Sequence, residues 1–182
     1  MTRHLRRLVI VGAVIALFSG NIYLASAHNW WNWHWNKSGT QITIRQSHAG
    51  GTTAQAEAAR QDAWNKIGIL YNYRVDYHTD VSVFDGNFGN TGWAGLASIE
   101  SKSWDWGCWC YAHIDHAHAR YNTYYAYSSW YIQGIYCQEV FHTYGFDHNS
   151  SGGCMGLGYY SGQGNTLTSH DVNDFYGRYR NH

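Results

Sequence analysis

Apolar and polar positions alternate in a few distinct patterns along the chain, and each pattern predicts an element. From Leu8 to Phe18 the residues are almost uniformly apolar, behind Arg3, Arg6 and Arg7 and ahead of Ala25-Ser26-Ala27. A basic start, an apolar run of about 11 residues and a small-x-small exit describe a signal peptide, and the run is shorter than the roughly 20 residues that span a bilayer. Residues 1–27 are therefore expected to be a leader removed before His28, with 28–182 as one mature domain. Gln41 to Arg45 alternates polar and apolar, the mark of a half-buried strand. Ala56, Ala59, Ala63 and Ile67 then recur at helical spacing. Thr52 and Gln55, just before them, have the spacing of a capping box, and Gly68 supplies a stop. Val81 to Phe84 reads as a strand, followed by the turn residues Asp85-Gly86-Asn87 and Gly89-Asn90. Trp93 to Ile99 is a short apolar segment. His113 to Tyr121 predicts another strand, with His116 and His118 on one face. Ile132, Ile135, Tyr136 and Val140 mark a helix over 130–144 that Gly145 ends. Thr168-x-x-Asp171 opens a last helix reaching Tyr179. Strand, helix, several strands and two further helices, without a repeat or a linker, predict a single α+β domain.

Composition narrows the possible roles. Without the leader's three arginines, 9 basic residues face 12 acidic ones. That balance offers no footprint for nucleic acid and no polybasic contact for a membrane once the leader is gone. Aromatics make up 18% of the chain, charged residues only 13%, and proline is absent. Such rings fill a core or, alternatively, line a groove for peptide or sugar. The segment 28–40 is rich in Trp, Asn and His, and within it His28 and His34 are weak candidates for metal. His116 and His118 are another possible metal pair. Asp85, Asn87 and Asn90 are oxygen donors that suit Ca2+, but their spacing fits no strong calcium-loop pattern and a plain turn is the favoured reading.

The strongest chemical signal is the run from Cys137 to His148. On a helix, Gln138 and His142 lie four residues apart and project from one face, with Glu139 beside it. Gly145 permits a sharp left-handed exit that turns His148 back towards that face. Two imidazoles, an amide and a carboxylate then converge. A zinc hydrolase needs about three protein donors, a position kept for water, and a carboxylate that is not a ligand. Glu139 is placed to take a proton from water and return it to a leaving amine.

Here the sequence resembles the metzincin metallopeptidases, whose motif is H-E-x-x-H-x-x-G-x-x-H followed by a Met-turn. Glu139, His142, Gly145 and His148 match in register, and Cys154-Met155-Gly156 follows at the place of the Met-turn. The match covers about residues 110–182. The resemblance implies a twisted mixed sheet, an active-site helix, a C-terminal helix, and one catalytic Zn2+ held by His142 and His148 above Met155. It also implies a secreted endopeptidase acting on peptide or protein substrates, with 92–97 as the edge strand that pairs with them. Gln138 stands where the family has its first histidine. It is a weaker oxygen donor, so three states stay open: ligation by Gln138, ligation by the two histidines and water, or an inactive scaffold that binds peptide or carbohydrate. No segment resembling the family's cysteine-switch pro-region precedes the first strand. Tyr159 or Tyr160 could approach the site, or simply pack.

The four cysteines allow three pairings. If the Met-turn underlies the metal helix, Cys137 and Cys154 would bridge, closing a loop of about 16 residues worth roughly 3 kcal/mol. Cys108 and Cys110 would be left to each other. Thiolate ligation of zinc is the rival reading.

Overall fold

The structure, a computed structural model, describes residues 32–36, 42–67, 72–75, 79–107, 109–156 and 164–179. The leader, His28, Gly68, Cys108 with its pairing to Cys110, Tyr159 and Tyr160 lie outside the described residues. Five strands and three helices follow in the order β1 (Ile42–His48), α1 (Thr53–Lys66), β2 (Asn72–Val75), β3 (Val81–Gly86), β4 (Gly95–Asp105), β5 (Cys110–Asn122), α2 (Ser129–His142) and α3 (Ser169–Tyr179). The strands form one sheet in the order β2-β1-β3-β5-β4. All neighbours are parallel except β4, which pairs antiparallel with β5 at one edge. The fold is thus α+β with a mixed sheet. Among the described residues no helix is long and apolar enough to cross a membrane.

One face of the sheet carries the core. Ile42 and Ile44, Val81 and Val83, and Ala117, Ala119 and Tyr121 are buried on it. Alternation puts the residues between them on the opposite face. Against the core face lie α1 and α2. The first presents only Ala56, Ala59 and Ala63, small side chains that let the two helices sit together. The second is buried along nearly its whole C-terminal half, from Gly134 to His142. Behind it, Phe141 stacks on Phe146 at 4.5 Å, and Phe146 stacks on Phe175 of α3 at 5.9 Å. Much of the aromatic content is therefore core. Trp104, Trp106 and Trp109, by contrast, stand exposed on the β4–β5 hairpin.

Two local expectations are revised. Thr52 does not cap α1 with its side chain. Its hydroxyl donates to Asp85 at 2.5 Å and lies 2.7 Å from the Tyr136 hydroxyl, so tertiary partners displace the local one. The apolar segment 93–99 is the start of an 11-residue strand, β4, whose later positions are mostly exposed. The oxygen donors considered for calcium serve turns and loops: Asp85 accepts from Gly50 N, Asn87 from Gly89 N, and Asn90 from the Tyr125 hydroxyl. The box opening α3 forms as expected, with Thr168 donating to Asp171 and Asp171 N donating back to the Thr168 hydroxyl.

Candidate functional site

The site is built on the last two turns of α2. Helical spacing sets Gln138 and His142 one turn apart on one face. Gly145, at φ +86°, then reverses the chain. No other residue fits there, because a Cβ would lie 2.2 Å from the Trp33 carbonyl oxygen. The reversal returns His148 to the helix, and its Nε2 comes to 3.1 Å from His142 Nε2. Gln138, Glu139, His142 and His148 share one cleft of about 510 Å³ with Ile135 and residues 92–97 of the edge-strand segment.

Each side chain is oriented by a second contact. His142 Nδ1 lies 2.7 Å from the Phe146 carbonyl. A carbonyl only accepts, so in the neutral ring the proton sits on Nδ1 and the Nε2 lone pair faces His148. Burial pushes the His142 imidazole down to about 4, only partly offset by that carbonyl, so it is neutral at pH 7. The Gln138 amide nitrogen donates to the Cys154 carbonyl at 3.1 Å, tying the helix to the turn that carries Met155. Met155 is fully buried, and the disulfide Cys137–Cys154 joins the same two segments. Asn149 holds the far side of that loop: its N donates to Met155 O and its Nδ2 to Asp171.

Glu139 lies beneath the edge strand. Gly95 passes so close that a Cβ there would meet Glu139 Oε1 at 2.5 Å. Burial pushes the Glu139 carboxyl up to about 8, with a hydrogen bond from the Ala97 backbone pulling the other way. At neutral pH such a group exchanges a proton readily with water or an amine.

Sequence reasoning missed two parts of this region. Asn122 is fully buried; its Oδ1 accepts from Phe88 N, and its Nδ2 donates to Gly89 O and Thr91 Oγ1. It shapes the loop leading into 92–97, and a lone Asn at a strand end gives no warning of that. The second is a group that could hold a metal ion, made by His34, Asp105 and His113, whose donor atoms lie within 4.8 Å of one another. His34 had been singled out without these partners. His116 and His118 do share a face, with their Nε2 atoms 3.0 Å apart, but their other nitrogens meet Thr79 O, Glu100 and Arg120. Burial lowers the His118 pKa.

No known protein family matches the chain, and no curated protein matches it.

Proposed function

We propose that the chain is a secreted, metzincin-like, zinc-dependent endopeptidase. The observation that carries this reading is the convergence of Gln138, Glu139, His142 and His148 on one cleft bounded by the segment that opens edge strand β4. The donor set fits zinc: His142 presents an unprotonated Nε2 beside His148 Nε2, and Gln138, with its amide nitrogen engaged, can offer its carbonyl oxygen as third donor. Bound zinc supplies polarisation of a carbonyl and acidification of water.

The chain's own residues do the rest. An extended peptide pairs with the edge of β4, as strands add to open sheet edges, and so lies across the cleft. Glu139 accepts a proton from the attacking water and delivers it to the departing amine nitrogen, and its raised pKa suits both transfers near pH 7. Gly95 keeps the strand close enough for carboxylate and substrate to meet. The Cys137–Cys154 bridge is compatible with export.

The test uses mature protein, residues 28–182, with a denatured protein as substrate. Cleavage should stop on chelation and return with zinc, and Glu139→Ala should lower it about 10²–10⁴-fold with the melting curve retained. Turnover that survives Glu139→Ala, or a chain that cleaves nothing when loaded with zinc, refutes the reading. In the second case the cleft would be a binding site on an inactive scaffold.

A further inference from the structure

We propose that His34, Asp105 and His113 form a second, shielded cation site, which takes one zinc-class divalent ion and fastens the N-terminal arm, residues 32–36, to the β4–β5 hairpin. The inference does not depend on the peptidase reading, since the two groups share no residue.

Three separate segments meet here. His34 lies on the arm, Asp105 ends β4 and His113 lies in β5. Asp105 Oδ2 is 3.7 Å from His34 Nε2 and 3.5 Å from His113 Nε2. Zinc holds such donors at about 2.0–2.2 Å, which puts neighbouring corners of a tetrahedron about 3.3–3.5 Å apart. The measured separations sit at or just beyond that edge length and are too long for good hydrogen bonds. The two edges from Asp105 need shorten by at most a few tenths of an ångström, and the three donor atoms already lie within 4.8 Å of one another. Two imidazoles with one carboxylate suit zinc and its first-row neighbours, whereas calcium and magnesium prefer oxygen throughout.

The backbone holds His34 in place. His34 N donates to Ala112 O at 2.9 Å and Ile114 N donates to His34 O at 2.8 Å, a parallel bridge opposite His113. The two rings meet edge to face with centroids 5.2 Å apart. The three side chains are only 7%, 14% and 15% exposed. Three protein donors leave the site's fourth position to water, and the shielding of all three favours an ion that holds segments together. Its ion would hold the residue next to Trp35, whose buried indole donates to the Thr143 carbonyl just beyond α2.

One neighbour opposes loading. Arg178 Nη2 lies 3.2 Å from His34 Nδ1. Neutral His34 binding through Nε2 carries its proton on Nδ1, so the guanidinium then faces a donor as well as an added cation. Arg178 must swing aside, and its removal should favour the ion.

The experiment uses mature protein carrying His142→Ala and His148→Ala, so that the cleft contributes no imidazole. After dialysis against chelator, zinc is titrated, and bound metal and melting temperature are measured. One equivalent of zinc should bind and raise the melting temperature by several degrees. Adding His113→Ala should abolish both effects. Asp105→Asn, nearly the same size, should weaken binding at least tenfold, and Arg178→Gln should tighten it. Absence of stoichiometric zinc in the His142/His148 variant overturns the proposal. So does binding that neither His113→Ala nor Asp105→Asn weakens.

Discussion

Two groups of histidines, one at the end of α2 and just beyond it and one on the arm and hairpin, meet their surroundings in opposite ways. His142 and His148 face a cleft, His148 is 40% exposed, and a carboxylate held near pKa 8 stands by without joining them. His34 and His113 are shielded, and their carboxylate, Asp105, points at both rings. The first arrangement leaves room for a reactant and keeps an acid for proton transfer. In the second the acid would itself be a ligand. The proposed reactive centre and the proposed fastening thus differ in where the carboxylate sits and how much water reaches it.

If the arm is structural, its anchor should matter more to stability than anything in the cleft. Trp35 is fully buried, its indole donates to Thr143 O, and its backbone N donates to the Tyr179 hydroxyl. Trp35→Ala should cost about 3–5 kcal/mol in denaturant unfolding. A loss below about 1 kcal/mol would detach the arm from the core and undo the comparison. On the other side, the double change Cys137→Ala and Cys154→Ala should cost about 3 kcal/mol, the value for a closed loop of this length. Circular dichroism melts of the two variants at one pH rank the effects directly.

How much of this was legible beforehand depended on how local each feature is. The cleft residues 138–148 are consecutive, so helical spacing and one glycine were enough to bring them together. The Cys137–Cys154 bridge followed from the same stretch and the resemblance. The arm group spans His34 to His113, and nothing local announces a parallel bridge between them. Residues 32–36 read as a repetitive polar-aromatic stretch, yet Trp35 is among the most buried side chains. Strand β4 was cut short because Glu100, Ser101 and Lys102 face solvent and break the apolar pattern that marks a strand. Thr52 misled for the reverse reason: its local pattern was sound, but Asp85 and Tyr136 offered a better-buried partnership.

The buried carboxylate should also show itself in the pH dependence of the metal-free protein. Glu139 keeps its proton to about pH 8 when folded, whereas the unfolded chain releases it near the ordinary carboxylate value of 4.5. Its contribution to stability is therefore complete below 4.5 and is lost as pH rises towards 8. His142 works the other way: folded, it refuses a proton down to about pH 4, whereas the unfolded chain accepts one below 6.5. Between 4.5 and 6.5 the two slopes oppose each other, and from 6.5 to 8 only the loss from Glu139 remains. Over that last interval the chelated protein should lose about 2 kcal/mol, at 1.36 kcal/mol per pH unit. Glu139→Gln should flatten the fall. An equal fall in the variant would move the titrating group elsewhere.

The smallest effect bears most directly on how the two sites differ in donors. Gln138 is four residues from His142 and lines the cleft, while its amide nitrogen is held by Cys154 O. A histidine there can keep one nitrogen as a donor to that carbonyl and turn the other towards the ion, replacing a neutral oxygen by an imidazole. Zinc affinity of the cleft should rise about tenfold, roughly 1.4 kcal/mol. The affinity of the His34–Asp105–His113 group should stay as it was, because Gln138 is not part of it. Competition titrations that resolve the two affinities separate the outcomes. A gain confined to one site assigns Gln138 to the cleft's ligand set, a gain at neither removes it from any ligand set, and equal gains at both would mean that the two groups are coupled through α2 and the arm.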